Sequence, residues 1–151
     1  MVATELANRI VDSLRSGGKV VLFGNGGSAA IAEHIAAEFV GRYRVNRPPL
    51  RAMSLTCNTA VLTAIANDYG YDNVFSRQVA AWVDSRDVVI GLSTSGNSEN
   101  VVRGIAAARS IGAHTVVLET GAPASQVQED HLRAMHALVG LVEDAMFGDA
   151  Q

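Results

Sequence analysis

The hydrophobic residues of the chain follow two alternating patterns. Short apolar runs bounded by glycine or polar residues are typical of strands buried on both faces of a parallel sheet. Between these runs, apolar residues recur at the three- and four-residue spacing of amphipathic helices. Strands are predicted at residues 19–23, 50–56, 87–92 and 114–118. Helices are predicted at about residues 3–16, 28–43, 59–66, 74–83, 99–110 and 126–147.

This alternation of strands and helices determines the predicted architecture. Successive strand–helix–strand units with right-handed crossovers give an α/β fold. We expect a three-layer α/β/α sandwich of the flavodoxin-like type, with a parallel sheet of four to five strands. The chain has 151 residues and no repeat, low-complexity tract or linker, so one domain is expected over residues 1–151.

Composition and charge argue against nucleic acids and membranes as binding partners. The formal net charge is −3 and there is no basic block, so no nucleic-acid partner is expected. No apolar run approaches 18 residues, so no membrane association is expected. Cys57 is the single cysteine and cannot form an internal disulfide, which favours a reducing compartment such as the cytoplasm.

The first strand is followed by a glycine-rich turn at residues 24–28, with the sequence GNGGS. Glycines allow the backbone to approach a ligand closely, and the helix that follows offers free N–H groups to an anion. Ala29 stands where a dinucleotide fingerprint needs its third glycine, and no acidic residue ends the second strand. The turn therefore predicts a small-ligand site and argues against a dinucleotide.

A second polar turn follows the third strand at residues 93–98, with the sequence STSGNS. Four hydroxyls, one amide and a glycine before a helix can surround a phosphate group with donors. The alternative is that these residues only cap the helix. Because six small polar residues follow one buried strand, we favour the phosphate site. It would suit a small phosphorylated metabolite.

His34 and Glu38 lie one helical turn apart on the predicted second helix. At i and i+4 both side chains project from one helix face, about 6 Å apart along the axis. This spacing can hold one metal ion. The alternative is a polar pair at the edge of a helix, which is the more common meaning of such a pair when it stands alone.

Several long motifs resemble the phosphoheptose isomerases, a branch of the sugar isomerase (SIS) domain superfamily. The motifs are GNGGSAA at 24–30, AAEF at 36–39, LTAIANDYGY at 62–71, VFSRQ at 74–78, IGLSTSGNS at 90–98 and VQEDH at 127–131. The resemblance implies an isomerase that converts sedoheptulose 7-phosphate to D-glycero-D-manno-heptose 7-phosphate, a precursor of glycans such as lipopolysaccharide. It also implies a homotetramer with active sites between subunits, and one zinc ion per subunit.

The resemblance also implies roles for individual residues. The residues that match the family's substrate contacts are Asn25, Gly26, Gly27, Ser28, Asp68, Ser93, Thr94, Ser95, Ser98 and Gln128. The residues that match its zinc ligands are His34, Glu38, Gln128 and His136. Ketose–aldose isomerisation through an enediol needs a base and an acid, and Glu38 and His136 are the expected base and acid.

The spacing of Gln128 and His136 poses a geometric question. Eight residues on a straight helix rise about 12 Å and differ by about 80° in direction, so both side chains cannot easily reach one ion. Either Gln128 precedes the regular helix, or the pair serves two sites of an oligomer. By spacing alone His131 is also a candidate, and only the resemblance favours His136.

The chain departs from the family pattern after the fourth strand. The segment that carries the family's last strand is absent between Leu118 and Gln128, and Ile31 and Gln126 stand where the family has Asp and Arg. The glycine-rich turn also resembles that of a different class, namely non-catalytic SIS-domain proteins of the type that associates with the replication initiator DnaA. Such a protein has no chemical need for the four zinc-ligand types, so their presence favours the enzyme.

Overall fold

The computed structural model describes residues 3–118 and 124–148, and for residues 124 and 125 it describes the backbone alone. The helices are α1 (Ala3–Arg15), α2 (Gly27–Val40), α3 (Thr59–Tyr69), α4 (Val74–Trp82), α5 (Glu99–Ile111) and α6 (Ala124–Phe147). The strands are β1 (Val20–Gly24), β2 (Ala52–Ser54), β3 (Val88–Leu92) and β4 (His114–Leu118). A 3-10 turn at Tyr71–Asn73 joins α3 to α4.

The strands form one parallel sheet in the order β2-β1-β3-β4. The two central strands are in register over their whole length, from Val20 opposite Val88 to Gly24 opposite Leu92. All residues of both central strands are buried, as expected for continuous apolar runs covered on two faces. The predicted α/β architecture is confirmed.

Side chains of β1 alternate between two hydrophobic layers. Val20 and Leu22 pack with α1, α2 and α6 on one face of the sheet. Val21 and Phe23 pack with α4 and α5, and with part of α3, on the other face. The result is the expected three-layer sandwich, with the carboxyl ends of the strands leading into the turns at residues 24–28 and 93–98.

The structure corrects three predicted boundaries. α3 continues to Tyr69 rather than ending near residue 66. β2 spans three residues of the predicted 50–56, because it lies at the edge of the sheet and pairs only with β1. α2 ends at Val40 rather than near residue 43. Beyond it, the Arg47 guanidinium takes the Phe39 carbonyl as a hydrogen-bond acceptor, and Leu50 N–H donates to the same carbonyl.

The described residues contain four strands, the lower of the two numbers expected. β4 is an edge strand of the described sheet and is only half-buried along its length. Across residues 3–118 and 124–148, every helix is too short or too polar to span a bilayer.

Candidate active site

The site lies where α2 and α6 pack side by side in the same direction. Gly27 at the start of α2 contacts Gln128 on α6, and about two turns later His34 faces His136. Beyond the end of α2, Arg44 donates to the Gly140 carbonyl at 2.8 Å. The two helices thus meet at two levels, and the segment after α2 contacts α6 at a third.

The middle level brings together three side chains that could hold a metal ion. Each of His34, Glu38 and His136 offers one ligand atom, and these atoms all lie within 4.8 Å of one another. The two Nε2 atoms are 2.8 Å apart, and Glu38 Oε1 lies 3.5 Å from Nε2 of His34. Two imidazole nitrogens and a carboxylate oxygen converging on one point form a donor set that suits zinc.

Aromatic contacts fix the direction of the His136 ring. Tyr43 stacks against it with ring centroids 5.2 Å apart and planes 6° apart. His34 meets the same ring edge-on at 5.0 Å and 80°. His136 is therefore held between two rings, with its Nε2 atom directed at His34.

A buried ion pair lies beside these rings. Arg47 and Glu143 each expose only 1% of their side chains, and Arg47 Nε lies 3.0 Å from Glu143 Oε1. Glu143 also accepts the backbone N–H groups of Tyr43 and Arg44. Burial acts to raise the pKa of Glu143, but the hydrogen bonds from Arg44, Tyr43 and Arg47 outweigh it and hold that pKa below its ordinary value.

Gln128 lies apart from the three possible ligands within one chain. It belongs to regular helix, since α6 begins at Ala124, so the alternative that it precedes the helix is wrong. Its amide lies against Gly27, about 10 Å along α2 from His34 for a rise of 1.5 Å per residue. The structure does not bring Gln128 to the His34, Glu38 and His136 group of its own chain.

His131, the alternative candidate on α6, is buried in the core and does not join the three-residue group. Neither ring nitrogen has a hydrogen-bond partner among the described residues. Burial lowers the pKa of His131, although the nearby Asp130 charge acts to raise it. Its surroundings are those of a core residue.

The glycine-rich turn depends on two different properties of glycine. Gly26 has φ +56°, in the left-handed region that residues with a Cβ atom rarely adopt. Gly27 has no such strain, but a Cβ atom there would overlap the Gln128 amide. Ser28 is buried in the first turn of α2. The turn therefore allows α2 to start close against α6.

Asn25 takes part in a hydrogen-bond network that sequence reasoning missed. Its amide and that of the buried Asn100 bond to each other in both directions, at 2.8 and 2.9 Å. The hydroxyl of Tyr71 donates to Asn25 Oδ1 at 2.9 Å. The network joins the glycine-rich turn, α5 and the segment after α3.

The second polar turn does not cap α5 through the side chain of its last residue. Ser98 occupies the N-cap position of α5, but its side chain makes no capping hydrogen bond. Its hydroxyl instead lies 3.3 Å from that of the buried Ser93. Ser95 accepts from Asn97 N–H and is exposed, while Thr94 is half-buried. For Ser98, the capping alternative is therefore not supported.

Asp68 lies exposed near the end of α3, where its carboxylate accepts from Asn67 Nδ2 at 2.8 Å. Its segment reaches the glycine-rich turn through Tyr71. The other residues that sequence reasoning missed are Tyr43, Arg47 and Glu143. Their contacts join positions about 100 residues apart, and no local pattern indicates that Arg47 or Glu143 is buried.

The fold and the site define an SIS-domain protein, and residues 3–120 match the SIS domain family. A phosphoheptose isomerase from Rhodospirillum rubrum is 49% identical over 160 residues, covering 94% of this chain and 85% of that protein. The solved structures of phosphoheptose isomerases from Neisseria gonorrhoeae and Francisella tularensis give TM-scores of 0.88 and 0.89, at 35% and 29% identity. Each alignment covers 94% of this chain and 85% of the solved chain.

The chain belongs to the phosphoheptose isomerase family. The expected enzyme is thereby confirmed, and the non-catalytic alternative is not favoured. The Rhodospirillum rubrum alignment has 160 positions, more than the 151 residues of this chain, so that relative carries residues that this chain lacks.

Proposed function

We propose that this isomerase interconverts sedoheptulose 7-phosphate and D-glycero-D-manno-heptose 7-phosphate by moving a proton between C1 and C2 through an enediol. The observation that carries the proposal is the convergence of His34 and Glu38 on α2, the helix that follows the glycine-rich turn, with His136 on α6. A base, an acid and a possible metal site then share one point of this helix pair.

Glu38 is the proposed base. Its carboxylate removes a proton from C1 of the ketose as the C1–C2 double bond forms, and the C2 oxygen takes a proton from the acid, His136. Return of the carbon-bound proton to C2 and loss of the O1 proton give the aldose. Proton transfer by positioned side chains of this kind contributes about 10²- to 10⁴-fold to rate.

His34, Glu38 and His136 are the proposed zinc ligands of one subunit, and one zinc ion per subunit is proposed. When bound, zinc would supply a Lewis acid that polarises the carbonyl and stabilises negative charge on oxygen. A carboxylate has two oxygens, so Glu38 can bind the metal and still act as a base. Nε2 of His136 cannot bind a metal ion and carry a proton at the same time, so it acts either as a ligand or as the acid. Comparing the activity with and without the metal distinguishes these two roles.

The remaining residues are proposed to bind the sugar phosphate. The hydroxyls of Ser93, Thr94, Ser95 and Ser98 would surround the phosphate at the start of α5, where free N–H groups and the helix dipole favour an anion. Asn25 and Asp68, with the backbone and hydroxyl of residues 26–28, would face the sugar.

A homotetramer with active sites between subunits is also proposed, and two observations support it. α3 carries apolar residues such as Val61, Leu62 and Ile65, yet none of its residues is buried. In addition, Gln128 is two helical turns away from the metal group of its own chain, which leaves it available to a site of a neighbouring subunit. Light scattering after size-exclusion chromatography measures the assembly.

The domain organisation, the cellular compartment and the metabolic role of the enzyme are proposed as well. One sheet runs through the described elements, which supports a single domain. The free thiol of Cys57 is exposed, in keeping with a reducing compartment such as the cytoplasm. The heptose phosphate would feed glycan synthesis, for example that of lipopolysaccharide.

The deciding experiment is incubation of the purified protein with sedoheptulose 7-phosphate, with and without a zinc chelator. We expect an aldose phosphate product, and we expect the chelator to slow its formation with recovery on adding Zn²⁺. A folded protein that yields no aldose under either condition would overturn the proposed reaction. Full activity in the chelated enzyme would overturn the role of zinc alone.

The role of Glu38 is tested by Glu38→Gln. The amide keeps an oxygen ligand but cannot accept the carbon-bound proton, so we expect kcat to fall at least about 100-fold. Metal content is measured on the same samples by atomic emission, and Glu33→Gln on the same helix is the matched control. Retention of activity in Glu38→Gln with metal bound would rule out the base role.

A further inference from the structure

Glu143 has a position on α6 that relates it directly to His136. The two residues are seven positions apart. On an α-helix this is almost two full turns, so their side chains point in directions that differ by only about 20°. Both side chains therefore lie on the face of α6 that meets α2 and the segment after it. Glu143 is nevertheless absent from the expected site residues and lies too deep to touch a substrate, with 1% of its side chain exposed.

The hydrogen bonds of Glu143 hold the segment that follows α2. Its two carboxylate oxygens accept the N–H groups of Tyr43 and Arg44 at 3.0 and 2.9 Å. Because the first of these belongs to Tyr43, the carboxylate fixes the backbone of the residue whose ring stacks on His136.

Arg47 connects the same carboxylate to the end of α2. Its guanidinium donates to Glu143 Oε1 at 3.0 Å and to the carbonyls of Glu38 and Phe39, both at 2.7 Å. The turn of α2 that carries the Glu38 side chain is therefore bonded, through one arginine, to the helix that carries His136.

A buried ion pair is weak evidence for stability, because the cost of removing two charges from water can exceed their attraction. Here one oxygen of Glu143 accepts from Tyr43 N–H and from Arg47, whose other contacts lead to His136 and to the Glu38 carbonyl, and the second oxygen accepts from Arg44 N–H. The Arg44 side chain pairs with Asp144 at the surface at 2.8 Å and lies 3.9 Å from Glu143 Oε2. Positioning accounts for this arrangement better than stability does.

We propose that Glu143 and Arg47 are positioning residues for the metal group. Glu143 holds the Tyr43 ring against His136, and Arg47 holds the turn of α2 that presents Glu38. The inference rests on the proposed metal site, because it concerns the geometry of that site's ligands. Loss of either residue is expected to weaken metal binding without removing a ligand.

The test compares Glu143→Gln with Asp87→Asn. Asp87 is a matched control, since it too is a buried carboxylate that accepts two backbone N–H groups and one cationic side chain. It lies just before β3, and its hydrogen-bond partners are Lys19 and Asp84, which take no part in the site. Zn²⁺ affinity is measured by chelator competition, Co²⁺ ligand geometry by visible absorption, and stability by thermal unfolding.

We expect Glu143→Gln to bind Zn²⁺ about 10- to 100-fold more weakly, the range measured for partners of metal ligands, and to alter the Co²⁺ spectrum. Asp87→Asn should lower the melting temperature yet keep the affinity and the spectrum of the wild type. Equal affinity loss in the two variants, or none in Glu143→Gln, would overturn the positioning role.

A second pair of variants is used because Glu143→Gln removes a buried charge and can fail to fold. Tyr43→Phe keeps the stacked ring and should bind Zn²⁺ like the wild type, whereas Tyr43→Ala should bind it about tenfold more weakly. Identical affinities in these two variants would also overturn the inference. A wild-type protein that binds no Zn²⁺ would overturn the proposed metal site itself, which is a separate result.

Discussion

At the scale of single residues, Asn25 shows how the structure restricts the chemistry of a contact. Its Oδ1 accepts from Asn100 and from the Tyr71 hydroxyl, and one of its two N–H groups donates to Asn100 Oδ1. A side-chain amide has two donors and one oxygen with two lone pairs. One N–H group remains, so Asn25 can offer a ligand only a donor.

This restriction leads to a prediction for Tyr71→Phe. Without the hydroxyl, Asn25 Oδ1 loses one partner and the amide is less firmly oriented, so KM should rise several-fold while kcat changes less. A hydrogen bond contributes about 0.5–1.5 kcal/mol net, which sets this scale. Steady-state kinetics with sedoheptulose 7-phosphate measure the effect.

Tyr69→Phe is the matched control for Tyr71→Phe. Tyr69 is exposed to a similar extent, and a phenylalanine ring keeps the contact that Arg77 makes with its face. Equal changes in KM for the two variants would show that the Tyr71 hydroxyl does not orient Asn25.

At the scale of elements, the sequence predicts strands and helices well where apolar periodicity is strong. β1, β3 and β4 lie within a residue of their predicted bounds because their runs are bounded by glycines and polar turns. The predicted end of α2 was about one turn too late, because the Arg47 guanidinium forms hydrogen bonds with the carbonyls of Glu38 and Phe39 there. The apolar pattern of α2 does not indicate that Arg47, in the segment that follows, forms hydrogen bonds with its last carbonyls.

In the candidate site, too, local patterns could be predicted from the sequence and long-range contacts could not. His34 and Glu38 could be predicted because an i and i+4 pair is local, and the hydroxyls of residues 93–98 are consecutive. Asn100, Tyr71 and Glu143 could not, since their partners lie 46 to 100 residues away. Only the folded chain brings such residues together.

The contact between α2 and α6 gives a prediction for Gly27→Ala. A Cβ atom would overlap the Gln128 amide, which is the far end of a flexible side chain and has to turn away. We expect the free energy of unfolding in urea to fall by less than about 1 kcal/mol, the lower end of overpacking costs. The double variant Gly27→Ala with Gln128→Ala should recover most of the loss, because neighbouring substitutions couple. Additive effects in this cycle would show that Gln128 is not what Gly27 accommodates.

At the scale of the whole molecule, the buried His131 and the half-buried His114 make stability depend on pH. Burial lowers the pKa of His131, and burial together with the Arg9 charge lowers that of His114, both from an ordinary value of 6.5. Unfolding exposes imidazoles that then take up protons near that pH. Stability is therefore complete above about pH 6.5 and is lost as pH falls towards the folded pKa values.

We expect the free energy of unfolding, measured in urea, to stay level from pH 8 to about pH 7 and then to decrease down to pH 5.5. His131→Leu should reduce the slope, because both ring nitrogens lack partners among the described residues and leucine suits an apolar site. An unchanged slope in His131→Leu would assign the pH dependence to other groups. The lowered pKa of Glu143 adds a further loss only at pH values below about its ordinary 4.5.

The hydrogen bonds of Glu143 have a consequence for how the chain length can vary. They set the rotation and height of α6 from its carboxyl-terminal half, downstream of His136. The contacts that hold His136 in place therefore come from residues that follow it on α6 and from the segment after α2. Relatives with additional residues and this shorter chain can share one arrangement of His34, Glu38 and His136.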